Sequence, residues 1–212
     1  MKIIDQTSII FIFLVVLSSV LFGQSKSITR ENYYSALKEA QSKTDEQIRK
    51  RVKIQKLYTN GNITKTLTDT TEYLPPDKSR WISVEEKDGN VIKRIEQITV
   101  GGFVYRKTDN GDWIKRENDS GGFGIGGSDN STSEFFIEET KIGKEKFQVL
   151  TEKRTSPNKI DFDEVRTWVS KKGLVLKKNS TTSSYDLKNI VSSVEVNYKY
   201  NLKTPKIEPP VK

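Results

Sequence analysis

The chain has 212 residues, 30% of them charged and 33% hydrophobic, with a formal net charge of +8. It contains no cysteine and no histidine. That excludes disulfides, thiolate metal sites, a cysteine nucleophile and a lipid-bearing cysteine, along with the commonest general base and metal ligand. Three Trp, eight Tyr and nine Phe argue against a disordered chain.

Residues 1–25 carry Lys2 and then an apolar run, Ile9–Phe22, of 14 residues. That is short of the roughly 20 residues that span a bilayer. Gly23-Gln24-Ser25 supplies small residues where a secretory signal would be cleaved. An uncleaved anchor is the alternative.

Thr29 to about Gln41 predicts a helix. Thr29 can cap it, and Tyr33, Ala36, Leu37 and Ala40 recur at three-and-four spacing as one apolar stripe. From Lys53 the pattern turns to strand, with Asn60-Gly61 as a turn and a Thr-rich run ending at Leu74-Pro75-Pro76-Asp77. Trp81, Ile82 and Val84 lead to a turn at Asp88-Gly89. A strand with Ile95 and Ile98 follows, and Gly101-Gly102 breaks it. Ile95 and Ile98 are three apart, so they share a face only across a bulge or twist.

Phe103 to Arg116 predicts a hairpin whose register depends on its loop. A three-residue Asp109-Asn110-Gly111 loop, with Gly111 left-handed, sets Lys107 beside Trp113. It places Phe103, Tyr105 and Trp113 on one face. A two-residue Asn110-Gly111 turn would separate Trp113 from the other two rings. The longer loop is preferred because it gathers the rings.

The stretch 119–133 is rich in Gly and Ser. Without a following helix or a Lys-Ser/Thr pair it reads as a surface loop, not a phosphate cradle. Strands are expected around Phe135–Ile137, Lys146–Leu150 and Val165–Trp168. The Lys171-Lys172-Gly173 loop should pair Val169 with Val175 and Trp168 with Leu176. Val194, Val196, Tyr198 and Tyr200 alternate with polar residues as a half-buried strand. Hairpin follows hairpin, so the fold class is α+β, mainly antiparallel β. The expected form is a curved meander with the helix on its hollow side.

In this order, EYLPPDKSRW, IEQITVGG, FVYRKTDNGDW, WVSKKGLVLK and a closing IEPPVK resemble the LolA-like lipoprotein-carrier superfamily, which includes the mycobacterial LppX/LprG-type lipoproteins. The likeness covers about Tyr33 to Lys212. Pro75–Trp81 and the Tyr105…Gly111-Asp112-Trp113 hairpin carry most of it. The resemblance implies a curved half-open β-barrel, with the N-terminal helix and short helical or loop elements on its concave side. It also implies an apolar cavity for lipid acyl chains. This chain departs from the mycobacterial members by lacking the lipobox cysteine and by a Gly-rich insertion at 121–127. The organisation expected is a signal at 1–25, a half-barrel domain at 26–204 and a Pro-rich extended tail at 205–212.

The binding candidates are Trp81, Phe103, Tyr105, Trp113, Trp168 and Tyr198, as rings of an apolar face. The plainer reading makes each of them ordinary core. The expected partners are a lipid or lipoprotein acyl chain and an anionic membrane surface, bound by a monomer exported to the periplasm or the medium. The alternative is an envelope interaction or sensor module that binds protein or an anionic polymer. The lysines are spread rather than clustered, so no nucleic acid is expected, and no cofactor is expected either. Asp161, Asp163 and Glu164 invite a carboxylate-pair or metal reading, but a solvated strand end is the plainer one, and no enzyme is expected.

Overall fold

The computed structural model describes residues 25–118, 131–142, 145–157, 161–184 and 189–210. The leading apolar run and the insertion at 121–127 lie outside them. Helix α1 spans Arg30–Asp45. The strands are β1 (Lys26–Ser27), β2 (Arg49–Thr59), β3 (Asn62–Leu74), β4 (Lys78–Lys87), β5 (Asn90–Val100) and β6 (Phe103–Thr108). They continue as β7 (Ile114–Glu117), β8 (Thr132–Ile142), β9 (Glu145–Thr155), β10 (Asp161–Ser170), β11 (Val175–Ser184) and β12 (Ile190–Lys199).

Thr29 caps α1 as its sequence predicts, with Oγ1 accepting from the Asn32 N–H at 3.2 Å. The helix runs past Gln41 because Thr44 and Asp45 gain partners on the sheet. Three hairpins turn on adjacent residues of positive φ: Asn60-Gly61, Asp88-Gly89 and Gly101-Gly102. Paired positive φ angles match the right-handed twist of the flanking strands.

The described strands form one antiparallel sheet in the order β1-β8-β9-β10-β11-β12-β2-β3-β4-β5-β6-β7. The sheet does not close, consistent with the half-open arrangement that the resemblance implies. It is not one continuous meander. Two meanders, β2–β7 and β8–β12, join where β12 pairs β2 in the register Tyr198↔Arg51. β1 pairs β8 at the far edge.

Residues directly opposite in an antiparallel ladder share a face, so the pairings assign faces across the whole sheet. Phe135, Leu150, Thr167, Val169, Val175, Val196 and Tyr198 face α1. Following the same face through β12 and β2 gives Arg51, Asp69, Thr71, Trp81, Ser83 and Gln97, a largely polar row. In β4–β7 the buried apolar residues lie on the other side, while Trp81, Ile95, Val104 and Ile114 remain on the helix side. There Ile98 and Tyr105 form a second core with Ile207, flanked by Leu74, Val100, Phe103 and Trp113. The apolar face therefore changes sides between the two meanders, and each side has its own cover. The helix covers one, and the extended tail covers the other through Ile207, which is 4% exposed.

Arg49 sets the angle between helix and sheet. Its Nη1 donates to the carbonyls of Thr44 (3.0 Å), Asp45 (3.0 Å) and Gln47 (3.3 Å). Its Nη2 donates to Asp45 Oδ1 at 2.7 Å, and its guanidinium lies 4.1 Å from the Tyr73 ring centroid. The carbonyls that end a helix have no intrahelical donors, and a buried arginine supplies them here. Thr44 completes the joint. Its Oγ1 accepts from the Val175 N–H at 2.9 Å, and the Tyr200 hydroxyl reaches both Thr44 Oγ1 and the Val175 carbonyl.

Replacing Arg49 by Ala strips several carbonyls of their donor at once. The expected loss of stability is about 2–4 kcal/mol, read from urea unfolding at neutral pH. A loss below about 0.5 kcal/mol, the scale of an ordinary surface change, would show that the helix end is held by other means.

Candidate functional site

An open groove of about 780 Å³ runs beside α1 on the helix face. Tyr34, Leu37 and Lys38 of the helix form one wall, and the turn at Pro75 and Pro76 forms the other. Thr167, Val175, Lys178 and Tyr198 form the floor. The helical stripe explains the first wall, since Tyr33 and Ala40 are buried on the sheet and Leu37 stands at the edge of that contact. The Tyr34 hydroxyl donates to Glu152 Oε1 at 3.3 Å and holds the ring upright at the groove's margin. Tyr198 stacks on Tyr200 with centroids 6.5 Å apart. Burial raises the Tyr198 phenol above its ordinary range, so it stays neutral at working pH.

The six rings named from sequence do not share one site. Tyr198 lies in the groove floor. Trp81 is on the same face but farther along the polar row, opposite Thr71 and Gln97. Phe103, Tyr105 and Trp113 do gather on one face, and the register matches: Tyr105↔Lys115 and Arg106↔Ile114 continue to Lys107 beside Trp113, with the Lys107 Nζ 5.0 Å from that ring centroid. That face is the one away from the helix, where the rings pack around Ile98 and Ile207. Trp168 also points away from the helix, with Lys177 Nζ 5.8 Å from its ring centroid.

Two loop expectations need correction. Asp109, not Gly111, takes the left-handed conformation, at φ 53°. Asp109 is fixed to β5, since its N–H donates to the Arg94 carbonyl at 2.6 Å and its Oδ1 accepts from the Arg94 N–H at 2.7 Å. A short polar side chain that bonds locally tolerates that backbone. In the other hairpin Val169 does face Val175, but Trp168 faces Lys177 instead of Leu176 because a bulge intervenes.

Two of the three carboxylates of β10 are already engaged. Asp163 binds Arg154 at 2.9 Å, and Glu164 binds Arg166 at 2.7 Å. Among the described residues no cluster of acidic groups could hold a metal, and no helix is long and apolar enough to cross a membrane. A second groove of about 690 Å³ lies at the end of α1, where Lys43, Lys146, Lys171 and Lys172 gather beside Phe147, Leu174 and Leu176.

Sequence reasoning missed Tyr34, Thr167, Val175, Lys178 and the two prolines as groove residues. Thr167 was accessible in principle, because it alternates with Val165 and Val169 and so shares their face. Pro75 and Pro76 read as a strand terminator and as part of the segment that carries the resemblance, not as a groove wall.

Among the described residues, fold and groove together define an open antiparallel sheet with one helix laid on it and an accessible cleft. No protein-family model matches the chain, and no curated protein matches it in sequence. Among solved structures it is similar to LprF from Mycobacterium bovis, at 11% identity and a TM-score of 0.43, over 87% of this chain and 99% of that one. It is also similar to a LolA superfamily protein from Nitrosomonas europaea, at 10% identity and a TM-score of 0.32, over 82% of this chain and 94% of that one. A domain described as an outer membrane lipoprotein-sorting protein, from Vibrio parahaemolyticus, matches at 10% identity and a TM-score of 0.31, over 83% and 96%. Likeness at this level transfers no residue role and no ligand.

Tyr33, at the root of the groove wall, is 1% exposed, and burial first, then the Glu152 charge, raises its phenol above the ordinary range. The unfolded phenol titrates at about 10, so above that pH the unfolded chain releases a proton that the fold retains. The stability Tyr33 contributes is complete below about pH 10 and falls as pH rises toward its folded value. Tyr33→Phe should therefore flatten the fall in urea midpoint between about pH 9 and 11. Parallel slopes for both proteins would assign the alkaline loss to another group.

Proposed function

We propose that the protein is an exported, cell-envelope binding protein that holds a single acyl chain or similar amphiphile in the groove beside α1. The observation that carries this reading is the groove itself. Tyr34, Leu37, Pro75, Pro76, Val175 and Tyr198 give it an apolar lining, and it stays open along its length. Its volume falls in the range of small-molecule sites, about 300–1,000 Å³, where apolar walls supply affinity and a few polar groups fix orientation. Export is supported by the basic-then-apolar leading segment. The resemblance to lipoprotein carriers points the same way without identifying a cargo.

A second reading is favoured by the lysines at the end of α1. Lys43, Lys146, Lys171 and Lys172 outnumber Glu46 and Glu145 at one end of the molecule, beside apolar Leu174 and Leu176, although Lys43 is paired with Glu39. Such an end suits contact with an anionic membrane surface, at which the groove would load or unload.

The groove is tested with a fluorescent fatty-acid analogue and its displacement by decanoate. Leu37→Glu places a charge against the chain and should weaken binding about tenfold. Val91→Glu, on an exposed hairpin, should leave binding unchanged. Equal effects of the two changes, or no saturable binding, would sink the reading. The basic end is tested by co-sedimentation with vesicles containing phosphatidylserine. Binding should fall as salt rises, and the double change Lys171→Glu, Lys172→Glu should abolish it. Equal retention on neutral vesicles would remove the second reading.

A further inference from the structure

We infer that the groove selects amphiphiles with one carboxylate head, read on its floor by Lys178 and Thr167. The inference rests on the groove reading above and adds the chemistry of the head group.

Two polar groups in the apolar groove lack protein partners. Thr167 is 1% exposed, and its Oγ1 has no hydrogen-bond partner. Buried hydroxyls are almost always bonded, so an orphan facing a groove marks a place for a ligand atom. Lys178 stands directly opposite Thr167 on β11. Direct cross-strand partners have Cβ atoms about 4.5–5.5 Å apart, so ammonium and hydroxyl can reach one small group together. Lys178 is half-buried, and no carboxylate among the described residues lies within ion-pair distance of it.

The other charges of the groove do not compete for this place. Asp45 Oδ1 is held by Arg49 at 2.7 Å and by Gln41 at 3.0 Å. Glu46 and Lys38 are exposed at the margin. One half-buried cation on the floor matches one negative charge. A carboxylate is therefore matched, with one oxygen on the ammonium and the other accepting from the Thr167 hydroxyl. A phosphate dianion would leave a charge uncompensated against apolar walls. The acyl chain then extends along Leu37 toward Pro75 and Pro76.

The test compares decanoate with decanol, both below the concentration at which they aggregate, by displacement of a neutral fluorescent chain probe. The wild-type protein should prefer decanoate by about tenfold, the scale of a charge-assisted bond in a half-buried site. Lys178→Met keeps the stem and removes the charge, so the acid-to-alcohol ratio should collapse toward one. Lys178→Arg should restore most of the ratio, and Thr167→Val should lower it roughly threefold. Circular dichroism confirms that each variant is folded, and Lys178→Arg keeps the test decisive if the methionine variant is not. Equal affinity for acid and alcohol in the wild-type protein would overturn the head-group inference while leaving the groove reading intact. Binding of neither would overturn both. Acetate that binds as tightly as decanoate would show a free-anion site with no role for the chain, and would also overturn the inference.

Discussion

The arrangement depends on how one guanidinium is satisfied. Arg49 opens β2 and turns back onto the carbonyls that end α1, while its flat face rests on Tyr73. An arginine at 7% exposure is costly unless its donors are used, and both Nη groups are used here while the buried Nε has no partner among the described residues. The cheapest acceptors within reach are those a helix leaves open at its C-terminus. Helix and sheet are locked together at that point, and Thr44 and Tyr200 repeat the lock on β11. The groove is the space this joint leaves between the helix and the Pro75–Pro76 turn. Its width is therefore a property of the scaffold, which suits a site that binds by shape.

Local features were legible because local chemistry decides them. The cap at Thr29, the stripe Tyr33–Ala40 and the turns at Asn60-Gly61 and Asp88-Gly89 follow from side-chain spacing and backbone tolerance. The Phe103–Arg116 register was also legible, since placing three rings on one face had one solution. The sense of that face was not. Nothing in the hairpin says whether its rings will lie under α1 or under Ile207, because the choice is made by the pairing of β12 with β2. That pairing lies far from the hairpin in sequence and has no marker of its own. Of the six rings named from sequence only Tyr198 lines the groove; Leu37 was legible as part of the helical stripe, and Tyr34, Thr167, Val175, Lys178 and the prolines become groove residues only through what faces them.

The switch of apolar side explains the composition. A sheet with one dry face would bury every second residue on the same side from edge to edge. Here the side facing α1 turns from Leu150, Val169 and Val196 to Arg51, Asp69 and Ser83 at the junction of the meanders. The opposite side gains Ile98 and Tyr105 in exchange. Each half needs only a small cover, one helix or one extended segment, so a polar chain can still build two cores. The polar row beside the groove also keeps the apolar lining short.

The cover over Ile98 and Tyr105 is the last of these parts to be synthesised. Until the chain has been made as far as Ile207, the β2–β7 meander has an uncapped apolar face and lacks β12 along its β2 edge. A chain made in amino-to-carboxyl order holds those strands open until the tail has been delivered. The seam and the cap would then form together. Such an order ties completion of both cores to the same late stretch of chain, the one that supplies β12 and then Ile207.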